Sequence, residues 1–174
     1  MKRKITKESQ RGFTLVELLL AVSLLTISIG VTSDILMSLI RANNKSQVMN
    51  EIEQQSNFVA SKIEKELRNA QSATIASGPT LTFTTRDGVE VIYNLNTSTG
   101  VLTRKEGSDT YNLTSNASPG GVIVSTSSNC FTVTGNNPTI VSLDMTFTQA
   151  QAGPGSSYTG KTTIRSTVVV RNTY

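Results

Sequence analysis

Two groups near the start of the chain could do chemistry together. Glu17 stands at the head of an apolar run. From Leu18 to Ser33 the residues read LLLAVSLLTISIGVTS, and no other charge appears before Asp34. An acid inside a segment able to enter hydrocarbon costs about 2.5–3.5 kcal/mol, so it needs a partner or a function. Gly12-Phe13 is the boundary between a polar leader and this run. If a peptidase cuts there, the new chain begins with a free α-amine on Phe13. Glu17 then lies one helical turn away, and its carboxylate could neutralise that amine or the amine of a neighbouring subunit. One costly charge would account for the other.

The elements that must hold these groups flank them directly. Met1 to Arg11 carries Lys2, Arg3, Lys4, Lys7 and Arg11 against the single acid Glu8, the flank that the positive-inside rule keeps in the cytoplasm. A helix from Phe13 to Ile40 would extend about 42 Å, enough to cross a bilayer's hydrocarbon core. Two plainer readings share these features. A secretory signal peptide cut after Ser28-Ile29-Gly30 would leave Val31 first. A simple single-span anchor would leave both Glu17 and the Gly-Phe junction without a role.

Gly12-Phe13-Thr14-Leu15-Val16-Glu17 resembles the processing motif of type IV pilins and type II secretion pseudopilins. The resemblance is strong over residues 1–40, weaker to about Ala70, and general in architecture beyond. It implies that a membrane prepilin peptidase cuts after Gly12 and methylates Phe13, and that Glu17 is the assembly carboxylate. Many members carry a proline where the helix loosens during filament assembly. This chain has none there, and Gly30 with Ser28, Thr32 and Ser33 is the nearest substitute.

Past Ile40 the chain turns amphipathic without a helix breaker. Val48, Ile52, Val59, Ile63, Leu67 and Ala70 recur at helical spacing, and Arg41 to Ala70 has neither Gly nor Pro. One helix from Phe13 to near Ser72, about 90 Å long, is expected. The charge run from Ser61 to Arg68 reads as a solvated face with Ile63 and Leu67 turned inward. It also resembles the corresponding segment of minor pilins and J-type pseudopilins, a pointer to subtype.

Gly78-Pro79 is expected to close the helical region. Strands follow at Thr80–Thr85, Val89–Leu95, Val101–Lys105, Tyr111–Leu113, Val122–Val124, Cys130–Val133, Thr139–Thr148 and Ile164–Arg171, with Arg86-Asp87-Gly88 as a hairpin turn. Along Thr139–Thr148, Val141, Leu143, Met145 and Phe147 should face inward. Gln149 to Gly160 should be a polar, mobile loop. The fold class is therefore α+β: a long N-terminal helix packed on a C-terminal antiparallel β domain. Its expected parts are a cleaved leader (1–12), a membrane or filament-core helix (13–40), an amphipathic continuation (41–76) and a β-rich domain (77–174).

Composition narrows the chemistry. Lys and Arg number 16 against 12 acids, but residues 1–12 hold five of those bases and one acid, leaving eleven of each. The basic balance belongs to the leader and points to no nucleic acid. With no histidine in the chain, a Ser-His-Asp triad, a Cys-His pair and the usual zinc sites are excluded. Cys130 is the lone cysteine, so no internal disulfide can form, and a buried inert thiol is expected. Asp87, Glu106 and Asp109 raise the calcium that some pseudopilins bind, but their density falls short of a calcium loop and solvated turns are expected.

No cofactor, metal or catalytic residue is expected. The expected function is structural: a minor pilin or pseudopilin assembling through its helix into a type IV pilus or type II secretion pseudopilus, at its tip or in initiation. Its partners would be prepilin peptidase, other pilins or pseudopilins and an inner-membrane assembly platform. It would cross the cytoplasmic membrane once with its β domain outside. The competing function is a membrane-anchored binding or adhesion module whose helix serves only as tether.

Overall fold

The computed structural model describes residues 12–77, 79–117, 120–135, 138–150 and 159–170. The chain forms two compact units, Met1–Asn43 and Asn44–Tyr174. Helix α1 (Leu15–Arg68) begins in the first and ends in the second. Its residues are exposed from Leu15 to Gln47. From Val48 onward one face turns inward, and Ile52, Ser56, Val59, Ala60, Ile63 and Leu67 are buried. Steps of three and four residues put these side chains on one stripe. Fully burying each large aliphatic among them contributes about 1.5–3 kcal/mol.

The helix stops at Arg68, short of the expected Ser72. The Asn69 N–H donates to the Glu66 carbonyl at 3.1 Å, a tighter final turn. Residues 70–76, expected to belong to the amphipathic segment, instead form all but the last residue of strand β1 (Ala70–Ser77). It pairs antiparallel with β2 (Thr80–Thr85), with Ala73 opposite Phe83 and Ile75 opposite Leu81. That pairing buries Ala70 and Ala73. Nothing in AQSATIAS forbids helix, but its Ser and Thr residues favour it weakly, and an available sheet edge decides the outcome. Gly78, expected as the breaker, lies outside the described residues.

Strands β1 and β2 open a five-stranded antiparallel meander completed by β3 (Glu90–Asn96), β4 (Val101–Glu106) and β5 (Asp109–Asn112). Leu81 and Phe83, then Val91, Tyr93 and Leu95, then Leu102, point into the core. The second sheet is built on β8 (Thr139–Gln149). One of its edges pairs with β9 (Lys161–Val170) along nearly its whole length. The other is shared by β6 (Val122–Ser125) and β7 (Phe131–Thr134), each taking one half. Val141, Leu143, Met145 and Phe147 are buried as the alternation requires. Of the three consecutive valines in β9, Val168 and Val170 are buried and Val169 is exposed. The expected Gln149–Gly160 loop falls largely on residues 151–158, which lie outside the described residues.

The inner faces of both sheets and the stripe of α1 make one core. Phe83 and Tyr93 stack within it at 5.9 Å between ring centroids. Gly160 lies against the helix: a β-carbon there would drive into Ile52, with the Val48 side chain 2.9 Å away. Cys130 is fully buried, and burial, aided by the nearby Asp144 carboxylate, pushes its thiol up to about 12. The burial matches the expectation, although Cys130 lies one residue ahead of strand β7 (Phe131–Thr134) and not within it.

Candidate functional site

The N-terminal site is built by one helix start. Thr14 is the cap: its carbonyl accepts the first helical bond, from Leu18 N–H at 3.2 Å, and its hydroxyl accepts from Glu17 N–H at 3.3 Å. Thr14-Leu15-Val16-Glu17 is thus a capping-box sequence, with Glu17 at the third helical position. The acid occupies the end of the helix where the macrodipole favours negative charge. Sequence reading passed over this role, although the Ser/Thr-x-x-Glu signature was present. Among the described residues, the Glu17 carboxylate has no side-chain partner, and its surroundings are open.

Gly12 is exposed, and a β-carbon added there would meet nothing within 4 Å. Packing against the described residues does not require glycine at that position. Phe13 is 81% exposed and stands just ahead of the cap. Lys2, Arg3, Lys4, Lys7 and Arg11 lie outside the described residues.

The segment behind this site has every large apolar side chain from Phe13 to Ile40 exposed. It is the one helix among the described residues long and apolar enough to cross a membrane, with mean hydropathy 2.2 over its best window. A surface of that size is stable only against lipid or other helices. Its hydroxyls are already satisfied. Ser23 donates to the Leu20 carbonyl, Thr26 to Val22, Ser28 to Leu24, Thr32 to Ser28 and Ser33 to Ile29, at 2.7–2.9 Å. None of these five brings an unpaired hydroxyl into an apolar surrounding.

A second polar cluster lies at the other end of the helix, where a solvated face was expected. The Glu66 carboxylate accepts from the Tyr93 hydroxyl at 2.8 Å and from Arg104 Nε at 3.1 Å on both oxygens. Lys62 Nζ adds an ion pair at 3.3 Å, and Arg104 Nη1 reaches Glu106 at 2.7 Å. Two residues before Glu66, Glu64 accepts from Ser166 on β9 and pairs with Arg68 at 3.4 Å. These acids tie the helix to both sheets; Lys65 and Arg68 keep the solvent side. Burial, with the Glu66 carboxylate alongside, holds the Tyr93 phenol far above its ordinary range, so it remains a donor.

Among the described residues no three His, Cys, Asp or Glu side chains gather as metal ligands. Glu106, one of the acids weighed for calcium, is engaged by Arg104, and Asp109 lies near the Tyr111 hydroxyl at 3.4 Å.

Residues 8–33 match a family model described as the prokaryotic N-terminal methylation motif. The match takes in Gly12, Phe13, Glu17 and the apolar run, and leaves the β domain outside it. With the long apolar helix behind it, this prepilin-type motif is consistent with the type IV pilin and pseudopilin family. No curated protein and no solved structure matches the chain.

Proposed function

We propose that the chain is a processed type IV pilin-like subunit. A prepilin peptidase cuts after Gly12 and methylates the new amine on Phe13. The helix beginning there enters a filament, and Glu17 is the carboxylate that recruits and registers it. Residues 1–12 are the leader, 13–40 the membrane and filament-core segment, and the domain beyond the helix is carried outside the membrane. The subunit is structural rather than enzymatic. Within that class we favour a minor pilin or pseudopilin of a type IV pilus or type II secretion system, acting with other pilins and an inner-membrane platform.

The observation that carries this reading is a coincidence on one short stretch. The methylation-motif match covers a glycine that packs against none of the described residues, and an acid at the head of a helix whose apolar surface is uncovered. A tether needs the apolar surface but neither of the other two features. A shaft assembled from many such helices uses all three.

Intact-mass and N-terminal peptide spectrometry on membrane-extracted protein tests it. The expected product starts with N-methylated Phe13. A chain starting at Met1, or at Val31 as conventional signal cleavage would leave it, overturns the reading.

A further inference from the structure

Residues 13–43 carry two acids, Glu17 and Asp34, and one base, Arg41. The α-amine that processing would leave on Phe13 adds a second cation. In the filament reading Glu17 takes that amine, which leaves Asp34 and Arg41. Both are exposed, and neither makes an ion pair among the described residues. Asp34 is surrounded by exposed apolar side chains, Ile35, Leu36 and Met37 beside it and Leu39 and Ile40 beyond. In a single membrane-inserted chain it needs no partner. It lies about 31 Å along the helix from Phe13, at the far edge of a hydrocarbon core roughly 30 Å thick, where water reaches it. Covering the apolar surface around it with another helix removes that water, and the carboxylate then requires a cation.

We propose that Asp34 of one copy of this chain pairs with Arg41 of a second, parallel copy displaced along the shaft by about 6–10.5 Å. The inference rests on the reading of α1 as a filament shaft. Asp34 and Arg41 are seven residues apart, so they lie on one face of the helix with about 10.5 Å between their levels. Moving a copy outward by that distance sets its Asp34 level with Arg41 of the first. The same movement carries its Phe13 amine toward Glu17 of the first, where four residues, about 6 Å, would bring them level. The long Arg41 side chain leans back toward the helix N-terminus and takes up the difference. Copies in register would instead set Asp34 against Asp34, a repulsion. A lipid surface offers charges at no fixed spacing, whereas a second copy supplies both in equal number at the matching one. Each copy gives its acid to one neighbour and its base to another, and such a head-to-tail contact with an axial displacement builds an open helical assembly.

Charge reversal in the full chain tests this. Asp34→Arg leaves two bases at these positions, and Arg41→Asp leaves two acids. Expressed singly, each should be trimmed at Gly12 yet lose most of its sheared-filament fraction. Expressed together, each supplies the charge the other lacks, and incorporation of both should return toward that of the parent. Pairing within one chain cannot give that rescue, because each chain stays mismatched. A second measurement needs no reversal: a tagged Asp34→Cys copy and an untagged Arg41→Cys copy should form a mixed disulfide in sheared filaments, the native Cys130 being buried. Where a reversed chain is not inserted, the disulfide alone decides. Single variants that incorporate like the parent would mean that water or lipid headgroups satisfy Asp34. Single variants that fail, with neither rescue nor mixed disulfide, would mean that a different subunit does. Either result overturns the pair. A parent chain not trimmed at Gly12 overturns the filament reading instead.

Discussion

Glu17 N–H donates to the Thr14 hydroxyl at 3.3 Å, so the residue proposed to act in assembly is held by the residue that starts the helix. Removing a Thr cap typically costs about 0.5–2 kcal/mol. Thr14→Ala should fray the first turn, leaving processing at Gly12 intact but lowering incorporation, while Thr14→Ser restores it. Hydrogen exchange of amides 15–18 checks the structural half of this. Unchanged exchange in Thr14→Ala would mean that the bond does not hold the turn.

Glu17 itself separates a filament shaft from a tether. Glu17→Leu removes a charge from an apolar segment, so a tether should insert at least as well and keep any binding activity. In a shaft the same change strands a buried α-ammonium, at a typical cost of about 3–5 kcal/mol. The expected variant is inserted and trimmed but scarcely incorporated. Glu17→Gln should behave similarly. The ratio of sheared to membrane-retained protein decides it, and near-normal incorporation of both variants would favour a membrane-anchored binding module.

Ile63 and Phe58 lie on the same helix with opposite environments. Ile63 is fully buried, whereas Phe58 is 59% exposed. Ile63→Ala should destabilise the domain by about 2–5 kcal/mol. Phe58→Ala should change its melt by no more than about 0.5 kcal/mol. Thermal or denaturant melts of a fragment beginning at Asn44 supply the comparison, and equal losses would contradict the assigned burial.

A fragment beginning at Ala70 retains every strand but lacks Ile52, Val59, Ile63 and Leu67 of the common core. Several lost burials at about 1.5–3 kcal/mol each approach a typical net stability of 5–15 kcal/mol. It should not melt cooperatively, whereas the fragment from Asn44 should. Equal melting temperatures would show that the stripe is dispensable to the domain.

Cys130 should make the β domain lose stability in alkali. Burial pushes its folded thiol up to about 12, against an ordinary value of about 8.5. The unfolded state gives up its proton first, so the contribution is complete below about 8.5 and declines as pH rises toward about 12. Cys130→Ala should flatten that part of the pH–stability curve. At pH 8 the native thiol should resist alkylation and react once denaturant is added. Rapid native labelling would contradict its burial.

The parts of the fold that follow from local spacing were legible. The apolar run, the stripe from Val48 to Leu67 and the alternation around Val141–Phe147 each carry their period within the segment itself. The basic N-terminal stretch, Gly12-Phe13 and Glu17 form a signature read over seventeen residues, and the capping box from Thr14 to Glu17 was readable there too. What the sequence alone determined was therefore helix, most strands and the N-terminal motif.

Pairing partners were left to the tertiary structure. Ala70–Ser77 has no breaker and a composition open to helix, and became a strand because β2 lay beside it. Glu66 sits among charges that suit a solvated helix face, and nothing near it in sequence announces Tyr93 or Arg104, 27 and 38 residues away. Likewise β6 and β7 share an edge of β8 that no periodicity assigns to either. Local periodicity records which side of a segment is apolar, while hydrogen-bond and charge partners depend on what the folded chain brings opposite it.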